Sequence, residues 1–144
     1  MVKVKIKKLV KDAVLPSYGH IGDAGLDFCS TENFVLGPGM MKMFSTGISM
    51  EIPEGYVALA WGKSGLASKK GIAILGGVID AHYRGEYKII LQNTSLDDFE
   101  VRIGDKIAQV LIQPVESAEI EVVEGLGETS RGAGGFGSTG GSNI

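Results

Sequence analysis

Met43-Phe44-Ser45-Thr46-Gly47-Ile48-Ser49-Met50-Glu51-Ile52-Pro53-Glu54-Gly55-Tyr56-Val57-Ala58-Leu59-Ala60 reads as strand, turn, strand. Met43 to Ile52 predicts one strand, Pro53-Glu54-Gly55 a turn, and Tyr56 to Ala60 the next strand. Gly37-Pro38-Gly39 supplies the turn before them. The same grammar runs outward in both directions. Val2, Val4 and Ile6 alternate with Lys3, Lys5 and Lys7, the period-two pattern of a half-buried strand. Ile72 to Leu75, Tyr87 to Leu91, Phe99 to Arg102, Lys106 to Val115 and Ile120 to Val123 read as further strands. Ile107, Val110, Leu111 and Ile112 also fit a helix face, but β-branched content favours a strand there. Only Ser64 to Lys70 reads as helix, one or two turns long. Most strand spacings lie near the roughly 8–12 residues of a β-sandwich or barrel. The expected fold is all-β, a single-domain sandwich or jelly roll.

The bulk properties narrow the function. A chain of 144 residues suits one domain, and 44% apolar with 22% charged residues is ordinary for a globular protein. The net charge of −3 argues against a nucleic-acid groove, although a few local cations and backbone amides can still hold a small anion. Cys29 is the only cysteine, which excludes an intrachain disulfide, and it is expected to be a buried small hydrophobe beside Phe28. No window approaches the ~20 apolar residues that span a bilayer, and the Lys-interrupted start does not look like a signal peptide. A cytoplasmic location, with no membrane or nucleic-acid partner, is the expectation. Of the 22 glycines, eight fall in the last twenty residues. That unevenness divides the chain into a body, residues 1–124, and a mobile Gly-rich arm, residues 125–144.

Three stretches could carry chemistry. Asp80 follows an apolar pair and stands where a strand would enter a hairpin; alone it would be a turn residue. Gly76 and Gly77 before it let the backbone approach a flat ligand, and Tyr83 after it offers a ring face. In Gly62-Lys63-Ser64-Gly65-Leu66-Ala67, Ser64 could cap the short helix, whose N-terminus with Lys63 would attract phosphate. The frame of a P-loop is missing. In Arg131-Gly132-Ala133-Gly134-Gly135-Phe136-Gly137-Ser138-Thr139-Gly140, amides, hydroxyls and an Arg could wrap phosphate oxygens, and Phe136 could stack on a base.

In this order the pieces resemble the five motifs of the trimeric dUTPase family. Ala24-Gly25-Leu26-Asp27-Phe28 is similar to the first, Lys63 to Ala67 to the second, and Gly77 to Glu86 to the third. Arg102-Ile103-Gly104-Asp105-Lys106-Ile107-Ala108-Gln109 is similar to the fourth, and Arg131 to Gly140 to the fifth. The resemblance implies a jelly roll of the β-clip kind in a homotrimer whose shared active sites each draw on all three chains. It implies dUTP as substrate, Mg²⁺ on its phosphates, and dUMP and pyrophosphate as products. Asp80 would activate the water that attacks the α-phosphorus, and Tyr83 would exclude a 2′-hydroxyl. The backbone of the third-motif hairpin, near Gly77, Val78 and Lys88, would read uracil. Lys63, Ser64, Gly65 and Gln109 would contact phosphates, and Asp27 would support the metal through its waters. Arg131, Gly137, Ser138 and Thr139 would hold the outer phosphates while Phe136 covers the base.

The chain departs from the family pattern at three places. Lys63 and Lys106 stand where Arg is usual, keeping the charge and losing the bidentate fork. Ile74 stands where some relatives carry a uracil-reading Asn, which leaves recognition to the backbone. A dCTP deaminase shares the fold but lacks the fifth motif, and a regulatory role through a partner protein is a further alternative. Trp61 is expected to pack beside the second motif, and His20 and His82 to lie on the surface.

Overall fold

The computed structural model describes residues 2–135. The elements are β1 (Lys5–Lys8), β2 (Leu26–Cys29), β3 (Phe34–Leu36), β4 (Met41–Phe44), β5 (Ile48–Glu51), β6 (Tyr56–Trp61), α1 (Ser64–Lys70), β7 (Ile72–Leu75), β8 (Val78–Asp80), β9 (Ile89–Asn93), β10 (Phe99–Val101) and β11 (Lys106–Pro114). A four-stranded sheet in the order β2-β11-β6-β8 and a three-stranded sheet in the order β4-β9-β7 form the body, with the pairs β1-β5 and β10-β3 beside them. All pairings are antiparallel. The core holds Phe28, Ala58, Ala108 and Val110 from the first sheet and Phe44, Ile72, Ile89 and Leu91 from the second. Alternation does this work: in β9, Ile89, Leu91 and Asn93 are buried while Ile90 and Gln92 are not.

The short helix and β7 fall where the sequence puts them, and β11 is a strand and not a helix. Four expectations need correction. Met43 to Ile52 is not one strand: the chain breaks at Ser45–Gly47, so that β4 pairs with β9 and β5 with β1. Gly47 makes that corner, with φ 68°. The first strand is not half-buried; Val2 and Ile6 remain exposed because β1 lies on the outer edge of β5. Ile120 to Val123 forms no strand, with Ile120 88% and Val122 94% exposed. A strand needs a hydrogen-bonding edge, and this segment pairs with none among the described residues. Trp61 is not packed inside either, being 57% exposed.

Gly47 tests this architecture. A Cβ there would lie 2.6 Å from Val10 Cγ2 and 2.8 Å from the Cβ of buried Ala13. Gly55 shares the left-handed backbone, at φ 77°, but has open space around it. Gly47→Ala is expected to destabilise by about 2–3 kcal/mol and Gly55→Ala by about 1. Urea unfolding of the two variants checks the difference; equal losses would refute the packing argument.

Candidate functional site

The expected site residues gather in two separate clefts. The first, of about 280 Å³, is lined by Gly77, Val78, Asp80, Tyr83 and Lys88, over a floor that includes Ala60, Ile74 and Tyr87. The third-motif segment builds it. Gly77 has φ 106°, and its carbonyl accepts the Ala60 N–H at 2.8 Å. A Cβ at that position would meet the Ala60 oxygen at 2.6 Å, so only glycine permits this approach. Strand β8 then ends at Asp80, whose carbonyl closes a turn by accepting the Tyr83 N–H at 3.1 Å. The Asp80 side chain is exposed, and among the described residues no hydrogen bond or ion pair engages its carboxylate. The Tyr83 hydroxyl donates to the Glu86 carbonyl at 3.1 Å. Its ring lies against the backbone of Gly85, with its centroid 6.1 Å from that of Tyr87, which in turn stacks on Phe28.

The second cleft is lined by Lys63, Ser64, Gly65, Leu66, Lys106 and Gln109. It opens on the start of α1. Lys63 is the N-cap with extended backbone and no side-chain cap bond, so Ser64 does not cap the helix as expected but is its first residue. The first N–H groups of the helix therefore face the cleft without a side-chain cap, a setting that attracts anions. Gln109 donates its amide to the Gly62 carbonyl at 2.9 Å, which ties β11 to the loop before the helix.

A bulge arranges the charges. On β2, Asp27 and Cys29 face β11 two residues apart; their partners Gln109 and Lys106 are three apart. The extra residue in β11 turns Lys106 onto the same face as Gln109 and Asp27. Lys106 Nζ then lies 2.8 Å from Asp27 Oδ2, while Lys63 Nζ bonds Oδ1. Burial would raise the Asp27 pKa, but the hydrogen bonds from Lys106 and Lys63 outweigh it and hold the carboxyl below its ordinary value. The pairing is thus complete at neutral pH. Its contribution to stability fades only as pH falls below the usual carboxylate range and through the lowered value. Lys106 gains correspondingly, its pKa raised by Asp27. One carboxylate against two lysines leaves the cleft a net positive charge, as a phosphate site needs.

Sequence reasoning left out Glu86 as a cleft residue. Lys106 was signalled only by its place in the fourth motif, and Trp61 borders Gly77 and Val78 from β6. Arg131 lies in neither cleft; its Nε donates to the Gly134 carbonyl at 2.7 Å in an exposed turn. Phe136, Gly137, Ser138 and Thr139 lie outside the described residues. Cys29 is buried, and His20 and His82 are on the surface, as expected. No helix of the described residues is long and apolar enough to cross a membrane.

Known proteins share both the sequence and the shape. The chain is 50% identical to the deoxyuridine 5'-triphosphate nucleotidohydrolase of Clostridium tetani over 139 residues, 95% of this chain and 96% of that one. It is 46% identical to the protein of the same name from Clostridioides difficile, covering 97% and 99%. A solved variant of the Staphylococcus bacteriophage 80alpha dUTPase with dUpNHpp superposes with a TM-score of 0.91 at 31% identity, covering 96% of this chain and 98% of that one. The dUTPase of phage phi11 of S. aureus, described with a structural Mg(II) ion, superposes with a TM-score of 0.82 at 29% identity, covering 88% and 99%. A family model for dUTPase matches residues 11–140, and with the two clefts built from its third motif and from its first, second and fourth, the chain belongs to the dUTPase family.

Proposed function

We propose that the protein is a dUTP pyrophosphatase: it hydrolyses dUTP to dUMP and pyrophosphate, with Asp80 as the base that activates water. The observation that carries this reading is the first cleft, where a glycine backbone, a tyrosine ring and an unengaged carboxylate converge on a space of nucleoside size. The base enters against Gly77 and Val78, where main-chain donors and acceptors tell uracil from cytosine. The apolar Ile74 in the wall adds shape and no hydrogen bond. Tyr83 lies against the deoxyribose and leaves no room for a 2′-hydroxyl. Asp80 accepts a proton from water as the water oxygen bonds to the α-phosphorus, and the bond to the pyrophosphate oxygen breaks. Lys63, Ser64, Gly65 and Gln109 hold the phosphates, with Lys106 reinforcing the charge. Arg131, Gly137, Ser138, Thr139 and Phe136 would close over the bound nucleotide and exclude water.

Mg²⁺ fits this donor set as an ion that arrives with the triphosphate. Among the described residues no cluster of three or more metal-ligating side chains exists, and a Mg²⁺ that keeps its waters needs only an outer carboxylate. Asp27 is that carboxylate, with oxygen lone pairs remaining beside its two lysines. An ion held there through its waters would supply neutralisation of charge on the phosphate oxygens.

The register of β6 favours a site shared between copies. Asp80 faces Val57, Gln109 faces Trp61, and β8 and β11 flank β6 on opposite edges. Four residues along a strand and two strand spacings across put their backbones roughly 16 Å apart. That is too wide for both to act on one phosphate group within hydrogen-bond reach of about 3 Å. A homotrimer in which one chain brings Asp80 and another brings the lysine cleft closes the gap. Exposed Trp61 and Val78 on this sheet, and the unpaired Ile120 to Val123 segment, are surfaces that neighbouring copies would cover. The body would then be residues 1–124, with residues 125–144 as the closing arm, and the enzyme would serve the cytoplasmic nucleotide pool.

Pyrophosphate release is expected from dUTP at least ~10²-fold faster than from UTP, dCTP or dTTP. Comparable rates on all four would refute the uracil cleft, and ammonia release from dCTP would point to a deaminase. Asp80→Asn should bind a non-hydrolysable dUTP analogue about as well as the wild type and lose roughly 10²–10⁴-fold in kcat; an unchanged kcat removes Asp80 from its role. Asp80→Asn and Gln109→Ala chains, each impaired alone, should regain turnover when unfolded together and refolded as mixed assemblies. No recovery would mean that each site lies within one chain.

A further inference from the structure

The Glu86 side chain has no assigned part in the reaction, yet it lines the nucleoside cleft and is one-fifth exposed. Its Oε1 accepts two backbone N–H groups, from Thr46 at 3.1 Å and Gly47 at 2.7 Å. These belong to the corner between β4 and β5 that the left-handed Gly47 creates. Oε2 faces Lys88 Nζ at 3.7 Å. The Glu86 main chain, meanwhile, carries the carbonyl that receives the Tyr83 hydroxyl. The same residue thus grips the body with its side chain and Tyr83 with its backbone.

The neighbouring bonds show where the grip is needed. Thr46 Oγ1 donates to the Tyr87 carbonyl at 2.6 Å, and the Tyr87 N–H donates to Ile48 at 2.7 Å. Ser49 Oγ donates to the Arg84 carbonyl at 2.8 Å. Arg84 and Tyr87 are therefore anchored on either side, and the Glu86 carboxylate anchors the peptide between them. Below, the Tyr87 ring supports that of Tyr83, and its own buried hydroxyl has no partner among the described residues, so that it contributes shape there. The Tyr83 ring lies against the backbone of Gly85 and its hydroxyl bonds the Glu86 carbonyl, an acceptor that the carboxylate clamp holds in place.

We propose that Glu86 is a positioning residue for sugar discrimination: its clamp on Thr46 and Gly47 fixes the carbonyl that aims Tyr83, and so sets the preference for a deoxyribose over a ribose. The inference rests on dUTP as substrate. A displacement of the ring by about 1 Å is enough to change a rate severely. A general weakening of the fold would lower turnover of both sugars alike, whereas loss of aim favours the larger one relatively.

The test is the ratio of kcat/KM for dUTP over UTP, measured on the full chain with Mg²⁺. Glu86→Ala should lower that ratio by about tenfold or more, and Glu86→Gln, which keeps an oxygen acceptor for both N–H groups, should restore most of it. Should Glu86→Ala fail to fold, Glu86→Asp withdraws the acceptor by one methylene and is expected to lower the ratio in part. A wild-type ratio retained in a folded Glu86→Ala or Glu86→Asp overturns the inference while leaving the substrate reading intact. A wild type with no preference for dUTP defeats the substrate reading, and the inference with it.

Discussion

Strand β6 is hydrogen-bonded on both edges, to β8 on one side and β11 on the other, and this double pairing governs the rest of the molecule. It fixes where the hairpin of residues 77–86 stands relative to the lysine cleft. Because strand rise and strand spacing are nearly invariant, the separation cannot be tuned by side-chain choice. A chain with this register carries two clefts, one beside each edge of β6. The first cleft holds the exposed Asp80 carboxylate, and the second holds Lys63 and Lys106 around Asp27.

The second cleft shows how a sheet builds a charged site without a metal cage. A single bulged residue in β11 brings Lys106 to the face of Asp27, and the N-cap position of a seven-residue helix brings Lys63 to the same carboxylate. Asp27 holds two flexible ammonium groups in place, so their rotamer entropy is already lost in the folded chain. Lysine in place of arginine suits this arrangement, since each oxygen of one small carboxylate receives a point charge and no bidentate fork is called for.

Much of this was legible in the sequence, and the failures have physical causes. Local pattern sufficed for β7, α1 and β11, because alternation and turn residues specify them without outside help. It failed at Met43 to Ile52, where nothing in the apolar run reveals that two halves pair with different partners across Gly47. It failed at Ile120 to Val123, whose strand-like alternation pairs with no edge among the described residues. Ser64 has the chemistry of an N-cap, yet the backbone places the cap one residue earlier, at Lys63.

Sequence by itself determined the all-β class, the order of five motifs and the residue types that chemistry requires: a lone carboxylate after a glycine pair, a tyrosine three residues on, lysines and a glutamine elsewhere. These are properties of local spacing and of side-chain identity. Tertiary structure alone decided that the first four motifs fall around two clefts, that Asp27 grips both lysines, and that Glu86 reaches back across some forty residues to Thr46 and Gly47. Those facts depend on strand register and on one bulge, where a slip of a single residue would send each side chain to the opposite face.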